Sequence, residues 1–161
     1  MLRATSAGAR GALLRMTGSL QIRPAIGSER AKIASLLEDC GLPFTDLDES
    51  RPEFLVATED DELRGVIGLQ NFGDVALLRS LAVAPAARNS GVGARLVDRL
   101  EGDSKTAGVR KLVLLTQTAE KFFVLRGYRS IERAALPERI LATTEFRSLC
   151  PASAACLAKS L

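Results

Sequence analysis

The stretch Leu81-Ala82-Val83-Ala84-Pro85-Ala86-Ala87-Arg88-Asn89-Ser90-Gly91-Val92-Gly93-Ala94-Arg95-Leu96 decides the fold. An apolar strand ends in a short polar turn, the turn carries two glycines, and it opens directly into an amphipathic helix. The first N–H groups of an α-helix lack an intrahelical partner, and the helix dipole adds partial positive charge at the same end. The turn is therefore a candidate phosphate site. Gly91 and Gly93 let an anion approach the backbone with no Cβ in the way, and glycine accepts the positive φ that such a turn uses. No Lys-Ser or Lys-Thr follows the second glycine, so this is not a triphosphate loop. The third glycine and the distant acidic residue of a dinucleotide fingerprint are missing too. For the loop taken alone, the plain alternative is an ordinary strand–loop–helix connection with a helpful glycine pair.

Working outward, residues 91–107 read as the helix, with Val92, Leu96, Val97 and Leu100 at helical spacing. Residues 76–83 form the strand before it. Lys111–Thr116 is a short, nearly continuous apolar run, as expected of a strand buried on both faces. Upstream, residues 20–25 alternate and read as an edge strand closed by Pro24. Ser28 is the expected N-cap of a helix that carries Ile33, Leu36 and Leu37 and stops at Gly41. Residues 42–52 are a loop with Asp46, Asp48 and Glu49. A hairpin follows, from 54–57 through a turn at Asp60-Asp61 to 63–69. Downstream, a helix over 119–125 ends at Gly127; residues 128–133 make a sixth strand and 152–159 a seventh. The pattern is that of an α/β domain with a mixed sheet.

With 161 residues the chain suits one domain with a substantial core. No apolar run approaches the ~20 residues that cross a bilayer, so no membrane partner is expected. The net charge of +3 is scattered, and six Phe with one Tyr offer little for base stacking. Nucleic acid is not an expected partner, and the positive excess suits a small anionic ligand. The chain has no histidine, which removes Ser-His-Asp and Cys-His catalysis and leaves no ordinary zinc set. No metal is expected. Cys40, Cys150 and Cys156 show no metal-type spacing and read as idle thiols in a reducing cytosol, with Cys150 the candidate if one is functional.

Residues 1–19 carry Arg3, Arg10 and Arg15 among Ala, Ser, Thr and Gly, and no acid precedes Glu29. That composition mimics a mitochondrial transit peptide. The favoured reading is a poorly ordered extension of a single domain spanning 20–161, with Met16 near the true start.

Beyond the loop, Ile22-Arg23-Pro24-Ala25, the hairpin, the Leu-Ala-Val strand, Arg88-x-x-Gly91-x-Gly93 and Ala119-Glu120-Lys121-Phe122-Phe123-Val124-Leu125-Arg126-Gly127-Tyr128 come in a familiar order. In this the chain resembles the GNAT superfamily of N-acetyltransferases. The resemblance implies a mixed, mostly antiparallel sheet of about six or seven strands flanked by helices, and acetyl-coenzyme A as co-substrate. More narrowly, Asp74 through Val83, Thr144-Glu145-Phe146 and Leu149-Cys150-Pro151-Ala152-Ser153-Ala154 are similar to acetyltransferases encoded with arsenic-resistance genes. The tail is also similar in layout to the acetyltransferase domain of N-acetylglutamate synthases. Both imply a small acceptor with an α-amino acid part, arsinothricin and phosphinothricin among the candidates, and a cytoplasmic enzyme; a homodimer is allowed.

In this family an amine attacks the thioester directly, and positioning supplies much of the rate. The resemblance assigns the coenzyme to the backbone of Leu81, Ala82 and Val83, to Arg88, Asn89, Ser90, Gly91, Val92, Gly93 and Ala94, and to Thr116 and Phe123. Two departures stand out. Leu77 occupies the place of the usual Glu base, and Phe123 that of the usual Tyr acid; Tyr128 aligns with a core aromatic. Glu145 is therefore the candidate base, against the plain reading of a solvated loop acid. Arg79, on the same strand face as Leu77, is the candidate grip for an acceptor carboxylate, against a surface ion pair. Arg95 and Arg126 read as solvated helix charges, and Thr118 as the cap of the helix that follows. The competing functions are a protein N-terminal or lysine acetyltransferase and a non-catalytic acyl-coenzyme A-binding module.

Overall fold

The computed structural model describes residues 18–161, and the expected extension lies outside them but for its last two residues. Seven strands form one sheet: β1 (Gln21–Pro24), β2 (Glu53–Glu59), β3 (Glu62–Asn71), β4 (Val75–Val83), β5 (Lys111–Thr116), β6 (Arg129–Ser130) and β7 (Ala155–Ser160). Their spatial order is β1-β2-β3-β4-β5-β7-β6. All neighbours are antiparallel except β4 and β5. A parallel pair needs a crossover, and here the glycine loop and its helix supply it. The helices are α1 (Arg30–Asp39), α2 (Leu47–Ser50), α3 (Val92–Thr106), α4 (Glu120–Leu125) and α5 (Glu138–Leu141), followed by a π-helical turn at Glu145–Leu149. Among the described residues no helix is long and apolar enough to cross a membrane.

The core has two sides. On one face, Leu96, Val97 and Leu100 of α3 and Phe123 of α4 pack on Ile67, Ala76, Leu78, Leu112 and Leu114. On the other, Ile33, Leu36 and Leu37 of α1 cover Val56, Val66 and Ala82, while Leu136, Ile140 and Phe146 cover Val75, Leu77 and Val113. The buried run Leu112–Leu115 of β5 thus serves both faces, as its unbroken apolar character requires. Gly65 sets the approach of α3: a Cβ there would lie 3.0 Å from both Val92 Cγ1 and Leu96 Cδ1.

Local chemistry corrects two expectations. Ser28 caps nothing; it sits in a 3₁₀ turn (Gly27–Glu29) ahead of α1, where Ile26 N donates to Glu29 Oε1 at 2.9 Å. Thr116, not Thr118, closes the start of α4, with its Oγ1 accepting from Ala119 N at 2.9 Å. The expected sixth strand contracts to Arg129–Ser130 and the seventh starts at Ala155. The turn at Asp60-Asp61 holds, both residues taking positive φ (53° and 61°), the conformation of a tight hairpin.

Candidate active site

Two local events in β4 open the sheet. β4 pairs with β5 only over Val75–Leu77, facing Lys111–Val113. Then the register with β3 slips between Val66 and Gly68, so β4 carries one extra residue, and Ser80 takes φ 58°. Such a bulge bends a strand and strengthens its twist. Past it, β4 and β5 share no further pairs, and a cleft of about 220 Å³ lies between Leu78–Leu81 on one side and Leu114–Thr116 on the other. Cys40, Phe123, Glu145 and Cys150 are among its other lining residues. A larger, mostly apolar cavity of about 520 Å³ between Phe54, Leu69 and Leu100 shares no lining residue with this cleft.

The glycine loop lies at the end of β4. Pro85–Ala87 forms a 3₁₀ turn, and Asn89 (φ 62°) and Gly91 (φ 86°) adopt left-handed conformations that aim the chain into α3. Gly91 is the N-cap of α3, no side chain caps its first N–H groups, and no acid occupies the first turn. A Cβ on Gly93 would come no nearer than 3.6 Å to Val83. The N–H groups of Val92, Gly93 and Ala94 are thus left for an anion. Ser90 Oγ donates to Ala87 O within the loop. Arg88 is exposed and reaches back, Nε to Val83 O at 3.2 Å and a terminal nitrogen to Cys40 Sγ at 3.6 Å. Leu81, Ala82 and Val83 continue β4 past the bulge, and Ala82 is buried under α1. The residue set fits an acyl-coenzyme A: an anion site at a helix start beside a cleft between splayed strands.

Arg79 and Glu145 of the cleft wall belong, with Asp46 behind them, to a buried cluster that sequence spacing does not reveal. Arg79 is 3 % exposed, Asp46 5 % and Glu145 5 %. The fork assigned above to an acceptor carboxylate is made instead to Asp46: Nη1 to Oδ2 at 2.6 Å and Nη2 to Oδ1 at 2.8 Å. Nη1 also donates to Ser50 Oγ at 3.2 Å, and Nε to Ser80 Oγ at 3.0 Å. Arg79 is therefore a committed internal cation. The salt bridge holds the Asp46 carboxyl below its ordinary range despite the opposing effect of burial, which is the largest influence on it.

Glu145 is no solvated loop acid. It begins the π-helical turn, its Oε2 lies 3.9 Å from Arg79 Nε, and that oxygen accepts no hydrogen bond. Burial pushes its pKa up to about 7, against the pull of Arg79. Cys150 Sγ donates to Glu145 Oε1 at 3.7 Å; burial, then the neighbouring carboxylate, push the thiol up to about 12, which keeps it protonated. All three cysteines are free thiols.

Phe123, 3 % exposed, stacks edge-on with Phe122 and Tyr128 and lines the cleft with an apolar face. Tyr128 is core, its hydroxyl donating to Glu101 at 2.8 Å. Thr116 lines the cleft at the end of β5. Arg126 is not simply solvated: it pairs with Asp98 and lies over the Phe122 ring. Arg95 donates to Leu20 O at 3.4 Å. Among the described residues no group of three His, Cys, Asp or Glu could hold a metal ion.

Known proteins resemble this chain in sequence and in fold. An amino-acid acetyltransferase of Neisseria meningitidis is 30 % identical over 88 residues, 53 % of this chain and 20 % of that protein. An uncharacterised N-acetyltransferase of Chlorobaculum tepidum is 33 % identical over 89 residues, 55 % of this chain and 57 % of its own. The N-acetylglutamate synthase of Neisseria gonorrhoeae, solved with coenzyme A and N-acetyl-glutamate, superposes with a TM-score of 0.76 at 25 % identity. That superposition covers 89 % of this chain and 35 % of the synthase. The chain therefore spans about a fifth of the meningococcal relative and about a third of the gonococcal synthase. The acetyltransferase (GNAT) family model matches residues 23–128, which is most of the chain, and the chain belongs to that family.

Proposed function

We propose that this protein transfers the acetyl group of acetyl-coenzyme A to the amino group of a small, amino-acid-like acceptor, with Glu145 as general base. One observation carries this reading. A carboxylate with an unpartnered oxygen and a pKa near neutrality borders the opening between β4 and β5. A base works best when its pKa lies near the operating pH. It takes the place of the strand Glu that Leu77 lacks, and it does so from the chain's C-terminal quarter. The uncapped N–H groups of α3 hold the coenzyme's phosphates, and the β4 backbone past the bulge lines the pantetheine arm. An N–H of that segment faces the thioester oxygen as charge develops. Phe123 shapes the cleft wall and offers no proton.

The meningococcal and gonococcal relatives act on, or were solved with, amino acids or their acetyl derivatives, which supports an α-amino acid part in the acceptor. The tail resemblance adds arsinothricin and phosphinothricin as acceptors to assay beside glutamate. The test is thiol release across these acceptors, with Glu145→Gln as the decisive variant. Activity should rise with pH through about 7. Glu145→Gln should abolish that acid limb and lower kcat/KM by about 10²–10⁴, with acetyl-coenzyme A affinity unchanged. A variant within twofold of wild type would refute the assignment. Tight coenzyme binding without turnover on any amine would favour a non-catalytic acyl-coenzyme A-binding module.

A further inference from the structure

The buried cluster holds three charges where a simple base would need one. Arg79 contributes a cation; Asp46 and Glu145 contribute two carboxyl groups, and only Asp46 has its oxygens on the guanidinium fork. A guanidinium prefers a carboxylate bidentately; Asp46 takes the edge formed by the two terminal nitrogens, and Glu145 lies nearest the Nε edge. It meets Arg79 only edge-on, at 3.9 Å from Nε, and Nε points its proton at Ser80 Oγ at 3.0 Å instead. Ser80 is the left-handed residue of the β4 bulge, so the distortion that opens the cleft also supplies the oxygen that occupies Nε.

We propose that Asp46 is a positioning residue for the transfer: by holding both terminal nitrogens of Arg79 it keeps the guanidinium off Glu145 and leaves Oε2 free to take the proton of the incoming amine. The inference rests on Glu145 being the base. The proton balance is simple, one proton passing from the acceptor nitrogen to Oε2 while Arg79 and Asp46 stay charged. The groups facing Glu145 are Arg79 from β4, Asp46 from the segment before α2, and the Cys150 thiol from its own turn, with the charge of Arg133 acting on that thiol as well. Asp46 works in two ways of the same sign: its charge repels a charge on Glu145, and it draws off the cation that would otherwise stabilise one. A further consequence concerns the acceptor. With Arg79 committed, an acceptor carboxylate must be held elsewhere, and the pair Asp46 and Glu145 outnumbers the cation and favours an ammonium beside the cluster.

The experiment is the pH dependence of kcat/KM for the full chain, wild type against Asp46→Asn, Ser50→Ala and Glu145→Gln. Asp46→Asn should move the acid limb down by about one pH unit or more, a tenfold change in the proton affinity of the base. Ser50→Ala removes the 3.2 Å hydrogen bond to Arg79 but no charge, and its limb should stay within about 0.3 unit of wild type on the same scale of linkage. A limb that stays put in folded Asp46→Asn, while Glu145→Gln abolishes it, overturns the role of Asp46 and spares the base. A limb that persists in Glu145→Gln overturns both. Should Asp46→Asn fail to fold, carboxyl ¹³C titration of the wild type decides: Asp46 must stay ionised through the interval in which Glu145 titrates. Joint titration of the two overturns the proposal.

Discussion

Replacing Tyr128 by Phe separates core from chemistry at the one tyrosine of the chain. Its ring is 1 % exposed, packed edge-on against Phe123 at 5.2 Å, and its hydroxyl donates to Glu101 Oε2 at 2.8 Å. Removing a hydrogen bond to a charged acceptor costs about 1.5–3 kcal/mol. The lower end applies, because Glu101 keeps Lys159 Nζ at 2.9 and 3.1 Å. That ammonium also lies 5.5 Å from the ring centre, a contact phenylalanine retains. A loss of about 1.5–2 kcal/mol in a domain of this size lowers Tm by about 3–8 °C. Burial, and then the Glu101 carboxylate, hold the phenol proton well above the usual tyrosine range, which makes it a poor acid for a departing thiolate. Thermal unfolding followed by circular dichroism and thiol release at 25 °C should therefore part company, with Tm down and kcat unchanged within twofold. A tenfold fall in kcat with Tm intact would refute the reasoning and make Tyr128 the proton donor.

Gly91→Glu should abolish acetyl-coenzyme A binding by calorimetry while the domain still folds, because a carboxylate at the uncapped start of α3 repels phosphate and φ 86° strains any side chain. Undiminished affinity would remove the loop from the coenzyme site. Gly65→Ala should cost about 1–3 kcal/mol through overpacking, since the new Cβ meets Val92 and Leu96 at 3.0 Å. It should also weaken coenzyme binding, because Val92 opens the helix whose first turn is the proposed phosphate site; equal denaturation midpoints would show that α3 shifts freely.

What was legible in the sequence was local. The order of strands, the spacing of Val92, Leu96, Val97 and Leu100, and the need for glycine at 91 follow from contacts within a turn or two. Glu145 is readable in the sequence only as one loop acid among several, because its burial depends on Arg79 and the β4 face packing against a distant turn. Asp46 was visible as a loop acid and nothing more: its partner is 33 residues away, and no short-range pattern announces such a pair. Arg79 is readable as a cleft-side cation, but its pairing with Asp46 is not, since spacing fixes where a side chain points and not which partner arrives. Ser28 and Thr118 were misread for a related reason. Several residues near a helix start can accept the same N–H, and backbone geometry chooses between them.

The extra residue at Ser80 acts on β4 as a frameshift acts on a message. Before it, Val75 and Leu77 face the α1 and α5 side and Ala76 and Leu78 the α3 side; after it, Ala82 belongs to the first set. Side chains alternate with a period of two, so one inserted residue exchanges every later position. Comparing β4 with any related strand therefore requires two frames joined at residue 80. A deletion there would restore one frame throughout and leave Ala82 on the α1 face, with Leu81 and Val83 on the α3 face; flattening the bulge with Ser80 kept would exchange them.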